Sequence, residues 1–195
     1  MSTLLAPSLP PPPRPLRWTV AKFHDVNATG AFAGLRPVLI HGVIYEQGEM
    51  KPPHANALEL TDVAIRAAFG AGWRFRVQLP LVLGQDSDPL PDIAVILGGP
   101  RDSSGHPTHA ALVIEVSDTS LTLDLTEKAE LYASAGIADY WVLDVIGRRL
   151  LVFRDPAPVV ANGRSYRTHL TLGPEETVST LAAPGSVVRV GDLLP

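Results

Sequence analysis

Asp92 and Glu115 stand where carboxylates are costly. Asp92 follows Pro91 at the head of the apolar run Ile93-Ala94-Val95-Ile96-Leu97, and Glu115 closes the run Ala111-Leu112-Val113-Ile114. An ionised carboxyl at the margin of a buried strand has to be paired or neutralised. Oxygen ligands from two strands can converge on a hard cation such as Mg²⁺ and leave several of its waters in place. An ion so held lowers the pKa of a bound water and offsets charge on a phosphodiester. The plainer alternative is that each carboxylate caps a loop or pairs with an arginine, since structural ion pairs also perturb carboxylates. Spacing leaves both open.

A lysine downstream adds to the first reading. Leu125, Lys128, Ala129, Tyr132 and Ala133 recur at helical spacing, which places them on one face. Lys128 then lies on the inward stripe, where it either snorkels to a rim or meets a buried anion. Near a metal site its ammonium could hold the attacking water or stabilise charge developing on phosphate. Structural pairing with Glu115 or Asp124 is the competing role. His54 opens a helix, either as a simple N-terminal polar residue or as a group facing the site. Ser117 and Asp118 read as the start of a turn. His106 and His109 flank Pro107 in a Gly/Ser loop, and without Cys or a third placed ligand they read as loop residues. Gly98-Gly99 fits neither a P-loop nor a dinucleotide fingerprint. No Gly-x-Ser-x-Gly elbow is present.

The elements that would carry these residues follow from pattern. A short helix over about 19–28 ends near Gly30. Val38 to Tyr45 turns at His41-Gly42 and reads as a β-hairpin. His54 to Phe69 is helical and is closed by Gly70 and Gly72. Trp73 to Leu81 alternates as a half-buried strand does. The runs beginning at Ile93 and Ala111 are continuous, the mark of central strands covered on both faces. Asp124 and Glu127 have capping-box spacing, with Asp124 as the N-cap and Gly136 at the helix end. Tyr140 to Leu143 and Leu150 to Phe153 are further strands. Tyr166 to Leu172 and Val187 to Val190 read as edge β-structure. Residues 1–16, with Pro10 to Pro13, read as a disordered tail ahead of one domain over 17–195. The expected class is α+β (α/β), a mixed sheet flanked by helices.

Bulk properties exclude several function classes. The 195 residues are 46% hydrophobic and 18% charged, enough for a sizeable core. A net charge of −4 argues against non-specific coating of nucleic acid, although a local basic groove remains compatible. The absence of cysteine removes disulfides and thiolate metal sites. No run reaches the length of a membrane span, and no secretory leader is visible, so no membrane association and a cytoplasmic location are expected.

Four blocks resemble one bacterial family in order and spacing: Pro91 to Val95, Val113 to Ser117, Asp124 through Lys128 to Tyr132, and Gly136 to Asp144. It is the Uma-type restriction endonuclease family of the PD-(D/E)XK restriction-endonuclease-like superfamily. Trp18-Thr19-Val20, Leu39 to Gly42, Pro53-His54, Pro184-Gly185 and Gly191 to Leu193 resemble its usual opening and close. The resemblance implies a restriction-endonuclease-like sheet and a Mg²⁺-dependent (or Mn²⁺-dependent) DNA endonuclease. It implies Asp92 and Glu115 as acidic ligands, with the Val116 carbonyl completing the shell. The superfamily's usual lysine position, two residues after the second acid, is Ser117 here, and the resemblance assigns its role to Lys128. Ser117, Asp124, Tyr132 and His54 would support the site. The family often carries an acid before the first hairpin glycine, where this chain has Val38 and His41. A catalytically weak module that binds nucleic acid or a protein partner is therefore the second expectation. A homodimer would suit a double-strand cut.

Overall fold

The computed structural model describes residues 14–102, 105–158 and 164–195. Most of the anticipated tail, including Pro10 to Pro13, lies outside them. The first element is helix α1, Val20–Ala28, capped by Thr19, whose side chain accepts from the Lys22 amide. Strands β1 (Pro37–Ile40) and β2 (Val43–Glu46) form the expected hairpin. His41 and Gly42 both take positive φ, +48° and +72°, as a two-residue turn of this kind requires. Gly42 is also fixed by packing, because a Cβ there would sit 2.9 Å from Cβ of Arg17.

Helix α2, Pro52–Phe69, uses its two prolines at the first turn, where their missing N–H groups leave no bond unmade. A six-stranded sheet follows: β3 (Trp73–Val77), β4 (Ile93–Leu97), β5 (Leu112–Ser117), β6 (Asp139–Asp144), β7 (Arg149–Pro158) and β8 (Arg164–Leu172), side by side in chain order. All neighbours are antiparallel except β5 and β6. That parallel pair needs a crossover. It carries helices α3 (Leu121–Leu125) and α4 (Glu127–Ser134).

Strand alternation sorts side chains into two cores. Ile93, Val95, Leu112, Ile114, Trp141 and Leu143 pack with Leu58, Ile65 and Phe69 of α2 on one face. Ala94, Val113, Tyr140 and Val142 pack with Leu131, Tyr132 and Ala133 of α4, and with Val38 and Ile40, on the other. The result is a single-domain α+β mixed sheet covered on both faces, as the continuous apolar runs require.

Three local expectations change. The strand from Trp73 stops at Val77, because Gln78 turns with φ +50° and Leu81 then drops into the α4-side core. The Asp124–Glu127 capping box does not form. Thr126 breaks the segment at φ −115°, ψ −88°, and Asp124 lies inside α3 as a buried residue. Val187 to Val190 does not edge the main sheet. β10 (Val188–Arg189) pairs with β9 (Thr177–Val178) as a separate ribbon that runs into a 3₁₀ turn, Val190–Leu193. Among the described residues no helix is long and apolar enough to cross a membrane.

Candidate active site

The sheet register builds the site. Ile93 pairs with Ile114 and Ala94 with Val113, so one step further along this antiparallel ladder Asp92 stands opposite Glu115. Val77 pairs with Ile93, and the same step sets Gln78 against Asp92. Gln78, Asp92 and Glu115 thus form a polar row at the end of the α4-side face. Directly opposed residues of an antiparallel pair have Cβ atoms about 5 Å apart, and like charges placed so repel. Both acids are nearly inaccessible, at 7% and 2% exposure.

Each carboxylate is oriented by donors from other elements. Asp92 Oδ1 accepts from Gln78 Nε2 at 3.0 Å and lies 3.2 Å from His54 Nε2, while Oδ2 accepts from the Val116 amide at 2.8 Å. Glu115 Oε1 accepts from the Tyr132 hydroxyl at 2.7 Å, and Oε2 lies 3.0 Å from Lys128 Nζ. A carboxylate offers about four lone-pair sites, so both acids keep acceptor capacity toward the cleft.

Lys128 sits in the first turn of α4 and is buried. Its Nζ bridges Glu115 and Asp124, the latter at 2.8 Å. Asp124 also accepts from Ser120 Oγ at 2.5 Å, and Ser117 Oγ lies 3.4 Å from that same Ser120 Oγ. A polar chain therefore runs from Ser117 through Ser120 and Asp124 to Lys128 and Glu115. His54, near the start of α2, is held between Asp92 and Asp118, with its Nδ1 3.8 Å from Asp118.

Burial sets the protonation of this group. Buried Glu115 is pushed up to about 7, with Asp124 and Asp92 adding repulsion against the opposing pull of Lys128. Burial would raise Asp92 as well, but the hydrogen bonds from His54 and Gln78 and the nearby positive charges hold it below its usual range. His54 is raised, chiefly by its bond to Asp92. Burial works against the Lys128 ammonium, yet Glu115 and Asp124 hold its pKa above that of a free lysine. Burial and the adjacent Glu115 charge keep the Tyr132 phenol protonated.

The structure brings together every candidate read from the sequence: Asp92, Glu115, Lys128, Tyr132, His54, Asp124, Val116 and Ser117. Among the described residues Ser117 makes no side-chain hydrogen bond to either acid or to the lysine, and it joins the group through Ser120. Sequence reasoning missed Gln78, whose contact depends on strand register, and placed Asp118 only in a turn. It also gave no role to Glu46, at the end of β2, or to Glu49 just beyond it, both of which line the cleft together with Arg36 and Tyr45. The acids of this region follow Gly42, whereas Val38 before it is part of the apolar wall.

The cleft encloses about 150 Å³, room for an ion and several waters. The groups here that could hold an ion are hard oxygens: the two carboxylates and the Val116 carbonyl. In an extended strand N–H and C=O of one residue face the same neighbour, here the Asp92 side. Among the described residues no group of three or more His, Asp or Glu side chains forms a complete cage. Mg²⁺ does not need one, because it commonly binds through one or two carboxylates together with waters and substrate phosphate. Acids outnumbering cations, with Glu115 repelled by its acidic neighbours, fit a site that takes up a cation.

A family model, Uma2, described as "Putative restriction endonuclease", matches residues 20–191. No curated protein matches the chain. Among solved structures, it is similar to a protein of Anabaena variabilis ATCC 29413 described as a putative nuclease belonging to DUF820. The two are 17% identical over 90% of this chain and 96% of the other, with a TM-score of 0.66. At that identity the likeness shows a shared fold. By its match over nearly the whole length, the chain belongs to the Uma2 family of restriction-endonuclease-like proteins, and this membership supports a nuclease function.

Proposed function

We propose that this protein is a divalent-metal-dependent DNA endonuclease, with Asp92 and Glu115 holding Mg²⁺ (or Mn²⁺) alongside the Val116 carbonyl. One observation carries the reading: two like charges stand opposite each other on adjacent strands, at a cleft, with a buried lysine against one of them. Nothing in packing alone favours that placement. When bound, the ion would acidify a water and offset charge on the scissile phosphate.

The chain's own groups supply the rest. Lys128 keeps its proton, so its part is a fixed positive charge beside the phosphate or the attacking water, and it is a poor proton acceptor. Asp124 holds that ammonium in place, and Ser120 in turn holds Asp124. Tyr132 fixes one oxygen of Glu115 and leaves the carboxylate a defined orientation. His54 and Gln78 do the same for Asp92, both at Oδ1. Asp118 steadies the far nitrogen of His54.

A second reading, a nuclease-fold module that binds nucleic acid or a protein partner without cutting, is favoured by one fact. Protein donors already occupy both acids, so the site is electrostatically tolerable without a metal. The assay that separates the two is cleavage of supercoiled plasmid and of single-stranded DNA with Mg²⁺ or Mn²⁺. Wild type should cut, and Asp92→Ala and Glu115→Ala should lose cutting by two or more orders of magnitude while remaining folded. Absence of cutting by wild type under either metal, with variants indistinguishable from it, would select the binding module.

A further inference from the structure

Five arginines of this acidic protein have a carboxylate partner: Arg66 with Asp62, Arg149 with Asp144, Arg154 with Asp139, Arg167 with Asp155 and Arg189 with Glu175. Three near the site do not. Arg36 lines the cleft and donates to Gln78 Oε1 at 3.4 Å, and Gln78 in turn donates to Asp92. Arg76 donates to the Pro80 carbonyl at 3.0 Å and lies 3.2 Å from His106 Nδ1. Arg74 and Arg76 each have a buried Nε with no hydrogen-bond partner among the described residues.

Their arrangement is ordered. β3 is an edge of the six-stranded sheet. Trp73, Phe75 and Val77 pack into the α2-side core, so Arg74 and Arg76 project from the opposite face, the face of Asp92 and Glu115. Residues two apart on a strand stand about 6.6 Å from one another, and this spacing leads from Arg74 through Arg76 to Gln78. Two guanidiniums side by side without an acid between them repel, and burial together with Arg74 weakens the hold of Arg76 on its proton. Such a pair gains when a polyanion supplies the missing charge. Arg101 lies past Leu97, at the end of the β3–β4 pair remote from Asp92, and does not line the cleft.

We infer that Arg74, Arg76 and Arg36 form a track for the phosphate backbone of a nucleic-acid strand, along the β3 edge toward Asp92 and Glu115. The inference rests on the nuclease reading for what happens at the end of the track. Backbone contacts of this kind position a strand without reading its bases. They also give an acidic protein a local hold on DNA, since three arginines without a carboxylate partner among the described residues stand near the cleft.

The test is binding of a short labelled DNA, single-stranded and duplex, to the full chain by fluorescence anisotropy over a series of salt concentrations. Ca²⁺ or EDTA replaces Mg²⁺ so that no cleavage intervenes. The slope of log affinity against log salt should fall by about 1 for Arg74→Gln and for Arg76→Gln, and by about 2 for the double variant. Arg74→Lys/Arg76→Lys should retain the slope, which a purely structural role of the guanidiniums would not predict. Arg167→Gln, exposed and far from the site, should bind as wild type does. Affinity and slope unchanged in the double variant, or no DNA binding by wild type, would overturn the track. So would loss of polyglutamate binding with DNA binding intact, which would assign the stripe to an acidic protein partner. Plasmid cutting measured on the same variants keeps the two claims apart: cutting with unchanged KM in the double variant removes the track and leaves the nuclease. Loss of salt-dependent binding in a protein that never cuts does the reverse.

Discussion

Two pairs of residues face each other across this sheet with opposite electrostatic logic. On β6 and β7, Asp139 opposes Arg154. On β4 and β5, Asp92 opposes Glu115. Asp139 is fully buried, and its oxygens accept from Trp141 Nε1, the Leu181 amide and two nitrogens of Arg154. About four lone-pair sites meet four donors, and nothing remains to bind. The Asp92–Glu115 pair combines like charges with spare acceptor sites and an open cleft. A buried acid whose acceptor sites are all filled by its neighbours is architecture, whereas a buried acid set against another acid, with acceptor sites left over, has room for a cation.

The largest expected effect lies on the closed side. Asp139→Asn leaves Arg154 with too little compensating charge and should cost about 3–5 kcal/mol in urea unfolding. Any loss of cutting in that variant should track the unfolded fraction. On the open side, at about pH 5, where Glu115 is protonated and the glutamine is its neutral counterpart, Glu115→Gln should change stability by no more than about 1 kcal/mol, because Lys128 keeps Asp124 as its partner. A loss comparable to that of Asp139→Asn would erase the distinction between the two pairs.

The pH dependence sharpens the contrast. Glu115 titrates near 7 in the folded chain against 4.5 for an ordinary glutamate. Its contribution to stability is therefore fully present below pH 4.5 and is lost as pH rises through about 7. Glu115→Gln should flatten that part of the stability profile, read by thermal unfolding between pH 4.5 and 8. The smallest effect belongs to His54. Its raised pKa places its stabilising contribution below pH 6.5, with loss as pH climbs past the raised value. His54→Gln should remove that upper-range slope, and a ring-proton titration by NMR should find wild-type His54 above 6.5.

Much of this site was legible because it interrupts a strong pattern. Asp92 and Glu115 punctuate continuous apolar runs, and Lys128 occupies an inward helical position between apolar neighbours. The strands themselves were readable for the same reason. What sequence could not supply was register. Gln78 reaches Asp92 because β3 and β4 pair in one frame, which no local spacing encodes. Asp124 shows the converse: its spacing from Glu127 mimics a cap, but the break at Thr126 turns it inward to hold Lys128. The β9–β10 ribbon escaped because two-residue strands carry no period.

That the open acid pair takes up a divalent cation is tested most directly by calorimetric titration of Mn²⁺ into wild type, Asp92→Asn and Glu115→Gln at pH 6 and pH 8. Wild type should bind, more tightly at pH 8 and with protons released near neutral pH as Glu115 is deprotonated. Both variants should lose at least tenfold in affinity. Undetectable binding by wild type, or affinity unchanged in both variants, would contradict the assignment.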